Sequence, residues 1–380
     1  MKIPFSQPVV LPQTLERIGE ALKQGQLSGV GPLTSRCEAL LKERMGATNL
    51  LVTSATHALE MMGLLLEIQP GDEVIVPSFT FVSTANAFAL RGARIRFADN
   101  DEYGNISLKE VERLRSPRTK AVVAVHYAGN SADMDALKAM CSALGIALLE
   151  DAAQAIGSTY KGKALGTFGA LACLSFHDTK NICAGEGGSL ILNQNAYLER
   201  AEIIREKGTN RRRFFQGLAD KYTWVDIGSS YALSELNVAY LLPQLEQLDS
   251  INAKRNGLWK TYDAELSKGF EKIGVQVLRN PSYNDRPNAH MFAVVLKDGS
   301  MRTGFISFMR ERQITTPFHY VSLHTAPHGL KVSGQAAPES LPQCERLSSC
   351  LVRLPLFHNM TEEQQSRVVD AAREWQRSQM

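Results

Sequence analysis

From residue 50 to residue 205, short apolar runs of strand length alternate with longer segments whose apolar positions recur every three or four residues. Apolar runs of four to eight residues between turn formers read as buried strands, and the wider spacing reads as one face of a helix. On this basis strands are predicted at Leu50–Val52, Glu73–Val76, Arg94–Ala98, Ala121–Val125, Ala147–Glu150 and Leu171–Phe176. Ala58, Met61, Met62, Leu65 and Leu66 continue the first strand at helical spacing, and Asp133 caps a helix running to Leu144. A first helix, Thr14–Gln24, precedes the series. Strand and helix in alternation predict a doubly wound, mostly parallel α/β sheet. A long helical pattern follows Tyr231 and is expected to break at Pro243. Beyond it, strand His290–Leu296 and helices Thr303–Arg312 and Glu362–Arg377 suit a smaller α+β domain. The expected division is an N-terminal arm and large domain over residues 1–250 and a small C-terminal domain over 251–380.

In an open α/β sheet, ligands gather beyond the carboxyl ends of the strands. Thr53, Ser78, His126, Asp151 and Ser175 all stand at or just after a predicted strand end, so one crevice collects them. Lys180 lies in SFHDTKNICAGEGG, between an apolar strand and a glycine-rich turn. A lysine and an acid ending two strands suit pyridoxal phosphate: Lys180 forms the Schiff base, and Asp151 keeps the ring nitrogen protonated so that the ring accepts electrons. The plainer alternatives are a solvated lysine and an N-capping aspartate, and the cap is compatible with the cofactor role. Thr53-Ser54-Ala55-Thr56 brings amides and hydroxyls to a helix N-terminus, which is a cup for phosphate. His126 is read as a satisfied wall residue, Asp99–Glu102 as a solvated acidic loop, and Arg205–Arg213, taken alone, as a solvated basic loop.

Composition narrows the class. With 380 residues, 44% hydrophobic and 21% charged, the chain can bury a large core and form two domains. A net charge of +3 makes no case for nucleic acid. The six cysteines lack CxxC spacing and fit reduced thiols. His319, His324, His328 and His358 lack an HExxH pattern, so no metal is expected. No stretch approaches the roughly 20 apolar residues of a membrane span, and the N-terminus does not read as a signal peptide. A soluble cytoplasmic protein is expected.

DEVIVPSFTFVSTANAF, VHYAG, EDAAQ, SFHDTKN and GEGG, in this order, resemble the sugar aminotransferases of the DegT/DnrJ/EryC1/StrS family, on the fold of aspartate aminotransferase. IREKGTNR, DKYTWVDIGSSY, NAHMF, FHYVSLH and RLPLFHN look like the branch that aminates dTDP-4-oxo-6-deoxyglucose for enterobacterial common antigen. The resemblance runs nearly end to end. It implies an aspartate-aminotransferase-like (fold type I) α/β enzyme that uses pyridoxal 5'-phosphate to move an amino group from L-glutamate to C4 of a nucleotide-linked keto sugar. Lys180 would then also shuttle the proton. The resemblance puts Ser54, Ala55, Thr56 and Ser175 on the cofactor phosphate, Phe81 on the ring face and Gln154 on the phenolate side. His319, Tyr320 and His324 are read as lining the substrate entrance, with Phe5 and Ser28–Gly31 of the N-terminal arm near it.

A homodimer with shared sites is implied, in which Ser230 reaches the neighbour's cofactor phosphate and Arg211, Arg212 and Arg213 take the substrate's diphosphate. The chain departs from the wider family at Lys207, where a histidine is usual, and at Ser230 and Ala232, where asparagine and arginine are usual. Related sugar 3-dehydratases carry histidine in place of the Schiff-base lysine, and Lys180 argues against that chemistry. A non-catalytic regulator that binds pyridoxal phosphate is the rival outside enzymology. The galacto product is expected by resemblance, and the residues leave the gluco epimer open.

Overall fold

The apolar runs pair into one seven-stranded sheet. The computed structural model describes residues 2–215, 217 and 219–380. Its strands are β1 (Thr48–Val52), β2 (Glu73–Pro77), β3 (Arg94–Ala98), β4 (Thr119–Val125), β5 (Ala147–Asp151), β6 (Leu171–Ser175) and β7 (Gly188–Leu192), in the spatial order β1-β7-β6-β5-β4-β2-β3. The pairs from β6 through β5, β4 and β2 to β3 are parallel, and β7 alone runs against both its neighbours. Parallel strands are covered on both faces, so their sequences read as unbroken apolar runs. The period of two then divides each strand between two cores. Val122, Ala124, Ala172 and Leu174 enter one, whereas Ala121, Val123, Leu171 and Cys173 enter the other.

A second sheet is antiparallel: β8 (Gln276–Val277), β9 (Phe292–Val295) and β10 (Leu351–Leu354). With helices Leu248–Lys272, Gly299–Glu311 and Glu362–Ser378 it encloses a third core, in which the Phe305 and Trp375 rings meet edge to face at 4.8 Å. The N-terminal arm joins this core through buried Ile3, whose amide donates to the Gln313 carbonyl (2.8 Å) and whose carbonyl accepts from Thr315 (3.0 Å).

Two local expectations are corrected. The helix Glu235–Glu246 runs through Pro243 and ends at Gln247. Proline removes one backbone donor, but the Gln244 side chain donates to the Tyr240 and Cys183 carbonyls (2.8 and 2.9 Å) and ties this turn down. The acidic loop is solvated only toward Glu102, and Asp99 is buried. Asp99 accepts the Gln343 and Cys344 amides (3.1 and 2.7 Å) at the start of helix Pro342–Cys350, and Asp101 accepts those of Tyr103 and Asn105. Burial pushes the Asp101 carboxyl up to about 6. All six cysteines are buried and free. Among the described residues no helix is long and apolar enough to cross a membrane.

Candidate active site

The strand ends build the site. After β1 the chain turns at Ser54, the N-cap of helix Ala55–Leu65, whose hydroxyl accepts the His57 amide (3.1 Å). The first amides of a helix lack intrahelical partners and carry its positive end, so Ala55 and Thr56 present anion-binding groups to the cavity they line. Gly188, the first residue of β7, lies against this turn. A Cβ there would stand 2.4 Å from the Ala55 nitrogen, so only glycine lets β7 pass the cup.

Asp151 ends β5. Its carboxylate accepts from the Thr84 hydroxyl (2.8 Å) and the Ala153 amide (3.2 Å) while still reaching the cavity. Lys180 follows β6 in a turn closed by its own amide on the His177 carbonyl (3.0 Å). Burial pulls the Lys180 ammonium below its usual range. Asp151 opposes that shift and Arg353 adds to it. An amine so placed gives up its proton more easily than an exposed lysine, which favours a nucleophile and base.

The cavity wall comes from β4, β5 and the segment before β10. The Gln154 side-chain carbonyl accepts from the Ala128 amide (2.7 Å), and its amide nitrogen donates to the Tyr320 hydroxyl (3.0 Å). A backbone N–H can only donate, so the Gln154 amide is oriented with its NH2 toward Tyr320. Ala128 (φ 58°) and Tyr320 (φ 43°) both hold left-handed backbone at the ends of this bridge. His319 stacks on Tyr320 at 3.6 Å, and its Nδ1 meets the Tyr127 hydroxyl at 2.8 Å. Burial, with Arg353 and Lys180 nearby, holds the His319 imidazole well below its usual pKa, hence neutral.

Ser54, Ala55, Thr56, Phe81, Asp151 and Gln154 thus share one cavity of about 610 Å³ with Ser175, Lys180, His319 and Tyr320. Phe5 also lines it, but Ser28–Gly31 do not: a Cβ on Gly29 would collide with the Leu233 carbonyl, and the Gly31 amide donates to Glu235. His324 is not at the entrance. It is 1% exposed behind the wall, where its Nδ1 meets the Ser78 hydroxyl at 2.7 Å.

Ser230 is exposed and bridges to Glu206 through its backbone, away from this cavity. Arg211, Arg212 and Arg213 face Glu206, Glu202 and Glu199. Arg211 and Arg212 line a separate depression. Arg205, at the start of the basic run, is a core residue paired with Glu38. His126 is fully buried and does not line this cavity; its Nε2 is 2.8 Å from Glu150.

Sequence reasoning missed Arg353, which lines the cavity from β10. The available signal was a single cation inside the apolar run LVRLPLF, since charges are rarely buried without purpose. It also missed Thr84, the donor to Asp151.

The donor set fits pyridoxal phosphate: an amine of lowered pKa, a carboxylate held by the Thr84 hydroxyl, the Ala153 amide and the Cys173 thiol, a helix start cleared by a glycine, and aromatic side chains on the wall. Among the described residues no group of His, Cys, Asp and Glu could hold a metal ion. The whole chain superposes on enzymes of known structure. The aminotransferase TlmJ from Streptoalloteichus hindustanus is 29% identical over 100% of both chains, with a TM-score of 0.90. DesV from S. venezuelae, solved in complex with a ketimine intermediate, is 30% identical over 99% of this chain and 98% of its own, with a TM-score of 0.87. PseC from Helicobacter pylori, involved in pseudoaminic acid biosynthesis, is 24% identical over 100% of both chains (TM-score 0.89), a likeness of fold. The fold is that of the aspartate-aminotransferase-like, fold type I enzymes. The model of the DegT/DnrJ/EryC1/StrS aminotransferase family matches residues 11–373, and the chain belongs to that family of pyridoxal-phosphate-dependent sugar aminotransferases.

Proposed function

We propose that the protein transfers the amino group of L-glutamate to C4 of dTDP-4-dehydro-6-deoxy-D-glucose, giving dTDP-4-amino-4,6-dideoxy-D-galactose and 2-oxoglutarate. The observation that carries the aminotransferase chemistry is Lys180, its pKa lowered, in one cavity with Asp151 and a helix N-terminus. The choice of sugar rests on the sequence motifs FHYVSLH and RLPLFHN, which supply His319, Tyr320 and Arg353 to that cavity.

Bound there, pyridoxal phosphate supplies an electron sink through which an amino group and a proton are exchanged at carbon. Ser54, Ala55, Thr56 and Ser175 hold its phosphate. Asp151, oriented by Thr84, keeps the ring nitrogen protonated. The Gln154 NH2 donates to the phenolate oxygen, and Phe81, 54% exposed in this chain, covers the ring. The Lys180 amine would hold the cofactor covalently. When free, its Nζ would take the proton from the donor α-carbon and, in the reverse sense, deliver one to the sugar carbon.

The third core, which apart from Ile3 of the arm is drawn from residues beyond 250, supports a division into residues 1–250 and 251–380, while the second core joins the two parts with buried residues from both. We also read the chain as a cytoplasmic homodimer that supplies an amino sugar for enterobacterial common antigen or a related polysaccharide. Phe214, Tyr222, Trp224, Val225 and Ile227 are all exposed, an apolar surface that a second copy would cover. Ser230 and Arg211–Arg213 lie in the same segment, outside their own cavity, and on this reading they serve the partner's. The arginines would exchange their glutamates for diphosphate oxygens.

The test is NMR of the product formed from the keto sugar and L-glutamate. An axial C4 amine is expected. An equatorial amine would change the product to the gluco epimer. Visible absorbance of the holoenzyme that does not change on adding L-glutamate would sink the enzymatic reading and leave a passive binder.

A further inference from the structure

The Tyr127 hydroxyl is a buried polar group with a single partner. Tyr127 follows β4 at the start of the 3₁₀ turn Tyr127–Gly129, is 0% exposed, and packs in the second apolar core. Its ring meets Phe79 edge to face at 5.1 Å and lies against Gly104, where a Cβ would stand 2.6 Å from the Tyr127 Cδ1. A glycine in left-handed backbone (φ 88°) thus clears the place of the ring. The hydroxyl meets His319 Nδ1 at 2.8 Å and has no other partner among the described residues. His319 lines the Lys180 cavity, and its Nε2 has no partner among the described residues.

Burial pushes the phenol well above its usual range, so it keeps its proton, and burial likewise keeps the imidazole neutral, with one N–H and one bare nitrogen. If Nδ1 carried the hydrogen, the phenol would only accept, and its own O–H would be buried without an acceptor, at the cost of an unsatisfied donor. If the phenol donates, Nδ1 accepts and the imidazole hydrogen goes to Nε2. The second arrangement leaves nothing unpaired inside the wall and turns a donor to the cavity. Tyr320, stacked on His319 at 3.6 Å, fixes the plane of the ring, and the residue after Tyr127, Ala128, holds Gln154 against Tyr320. One turn sets both wall side chains. The cavity also contains the cations Lys180 and Arg353, which bind anions more strongly than a neutral N–H does, so the N–H suits an uncharged oxygen.

We propose that Tyr127 is a positioning residue for sugar recognition: by donating to Nδ1 it fixes His319 as the Nε2–H tautomer, and that N–H donates to a hydroxyl oxygen of the sugar in the cavity. This rests on the reading that the amino acceptor is a nucleotide-linked sugar. Tyr127 touches no substrate and acts only through His319.

The test is nitrogen NMR of the holoenzyme grown on isotope-labelled histidine, the His319 signals being those lost in His319→Gln. In the parent, His319 should carry its hydrogen on Nε2 and show a bare, hydrogen-bonded Nδ1, and in Tyr127→Phe the two tautomers should mix. Thymidine diphosphate glucose, a nucleotide sugar with no ketone to react, should shift the Nε2 proton, and glutarate should not. Kinetics supply a second readout. Tyr127→Phe should raise KM for the keto sugar about 3- to 10-fold, the effect of one neutral hydrogen bond, with the rate of the L-glutamate half-reaction within about twofold. His319→Gln puts a side-chain NH2 near the place of Nε2–H without needing Tyr127, so adding Tyr127→Phe to it should change KM by less than about twofold. A merely structural tyrosine would cost the same in either background.

A parent with the hydrogen on Nδ1, or an Nε2 proton that thymidine diphosphate glucose does not move, overturns the proposal. So does a shift caused by glutarate alone, which would give His319 to the amino donor, and so does a Tyr127→Phe effect on KM that is undiminished in the His319→Gln background. If the parent does not aminate dTDP-4-dehydro-6-deoxy-D-glucose while thymidine diphosphate glucose still shifts the Nε2 proton, the choice of keto sugar fails and the Tyr127–His319 arrangement stands.

Discussion

Glu150 and Asp151 are adjacent carboxylates at the end of β5, and the strand's alternation sends them to opposite faces of the sheet. Glu150, 0% exposed, accepts from His126 Nε2 and from the amides of Gly166, Phe168 and Gly169. Burial alone would raise its pKa, but these donors, led by His126, bring it below the usual carboxylate range. Asp151 has the Thr84 hydroxyl, one amide and the weak Cys173 thiol donor, and its remaining acceptor capacity faces a cavity containing Lys180. The first acid is used up by the fold. The second is held in place by few enough donors that a ligand can still use it.

The comparison can be broken from either side. The largest effect is expected from Lys180→Ala, which removes the base that Asp151 faces across the cavity. Turnover should vanish, and borohydride should no longer fix the cofactor to the chain. A cofactor still fixed after dialysis would show that another lysine carries it. Asp151→Asn should come next. It should lower kcat by about a thousandfold or more, with unfolding within about 1 kcal/mol of the parent in urea, because a neutral pyridine is a poor electron sink. A loss below about tenfold, equivalent to about 1.4 kcal/mol of barrier, would reduce Asp151 to a capping residue.

Glu150→Gln should do the reverse, destabilising by about 2–3 kcal/mol while leaving kcat per folded molecule within severalfold. A folded pKa lower than the unfolded one contributes stability at pH values above the unfolded pKa, and this is lost as pH falls through the folded value. The parent should therefore lose stability on acidification more steeply than Glu150→Gln does, as melting temperatures across that range would show. The smallest effect is expected from Thr84→Val, which removes one hydrogen bond from Asp151 and should reduce kcat about tenfold. If the pH profile of kcat does not move with it, Thr84 does not orient the carboxylate.

The two acids also mark how far the sequence could be read. Asp151 and Lys180 were legible because each lies at or just past the end of an apolar run. Ser54 and Thr56 were legible because a hydroxyl-rich turn opened a helix. Those signals are local. Arg353 and Phe5 reach the same cavity from opposite ends of the chain, and their meeting depends on the arm pairing with the Gln313–Thr315 segment, which no local pattern encodes. His324 was misplaced for the same reason. It lies only four residues beyond Tyr320, but the short 3₁₀ turn Leu323–Thr325 carries it behind the wall and against Ser78. Asp99 looked like a solvated acid because the helix N-terminus it caps begins more than 240 residues later.

The fastening of the first few residues bears on how the protein should be handled. Ile3 is stitched to the Gln313–Thr315 segment, and the Phe5 carbonyl accepts from Leu356 (3.4 Å), so the leading end of the chain lies beside the chamber where the reaction takes place. Cleavage just after Phe5 would unroof Arg353. Helix Glu362–Ser378, by contrast, leads out to the surface, where Met380 is 73% exposed, and a cut there would leave the chamber's roof in place.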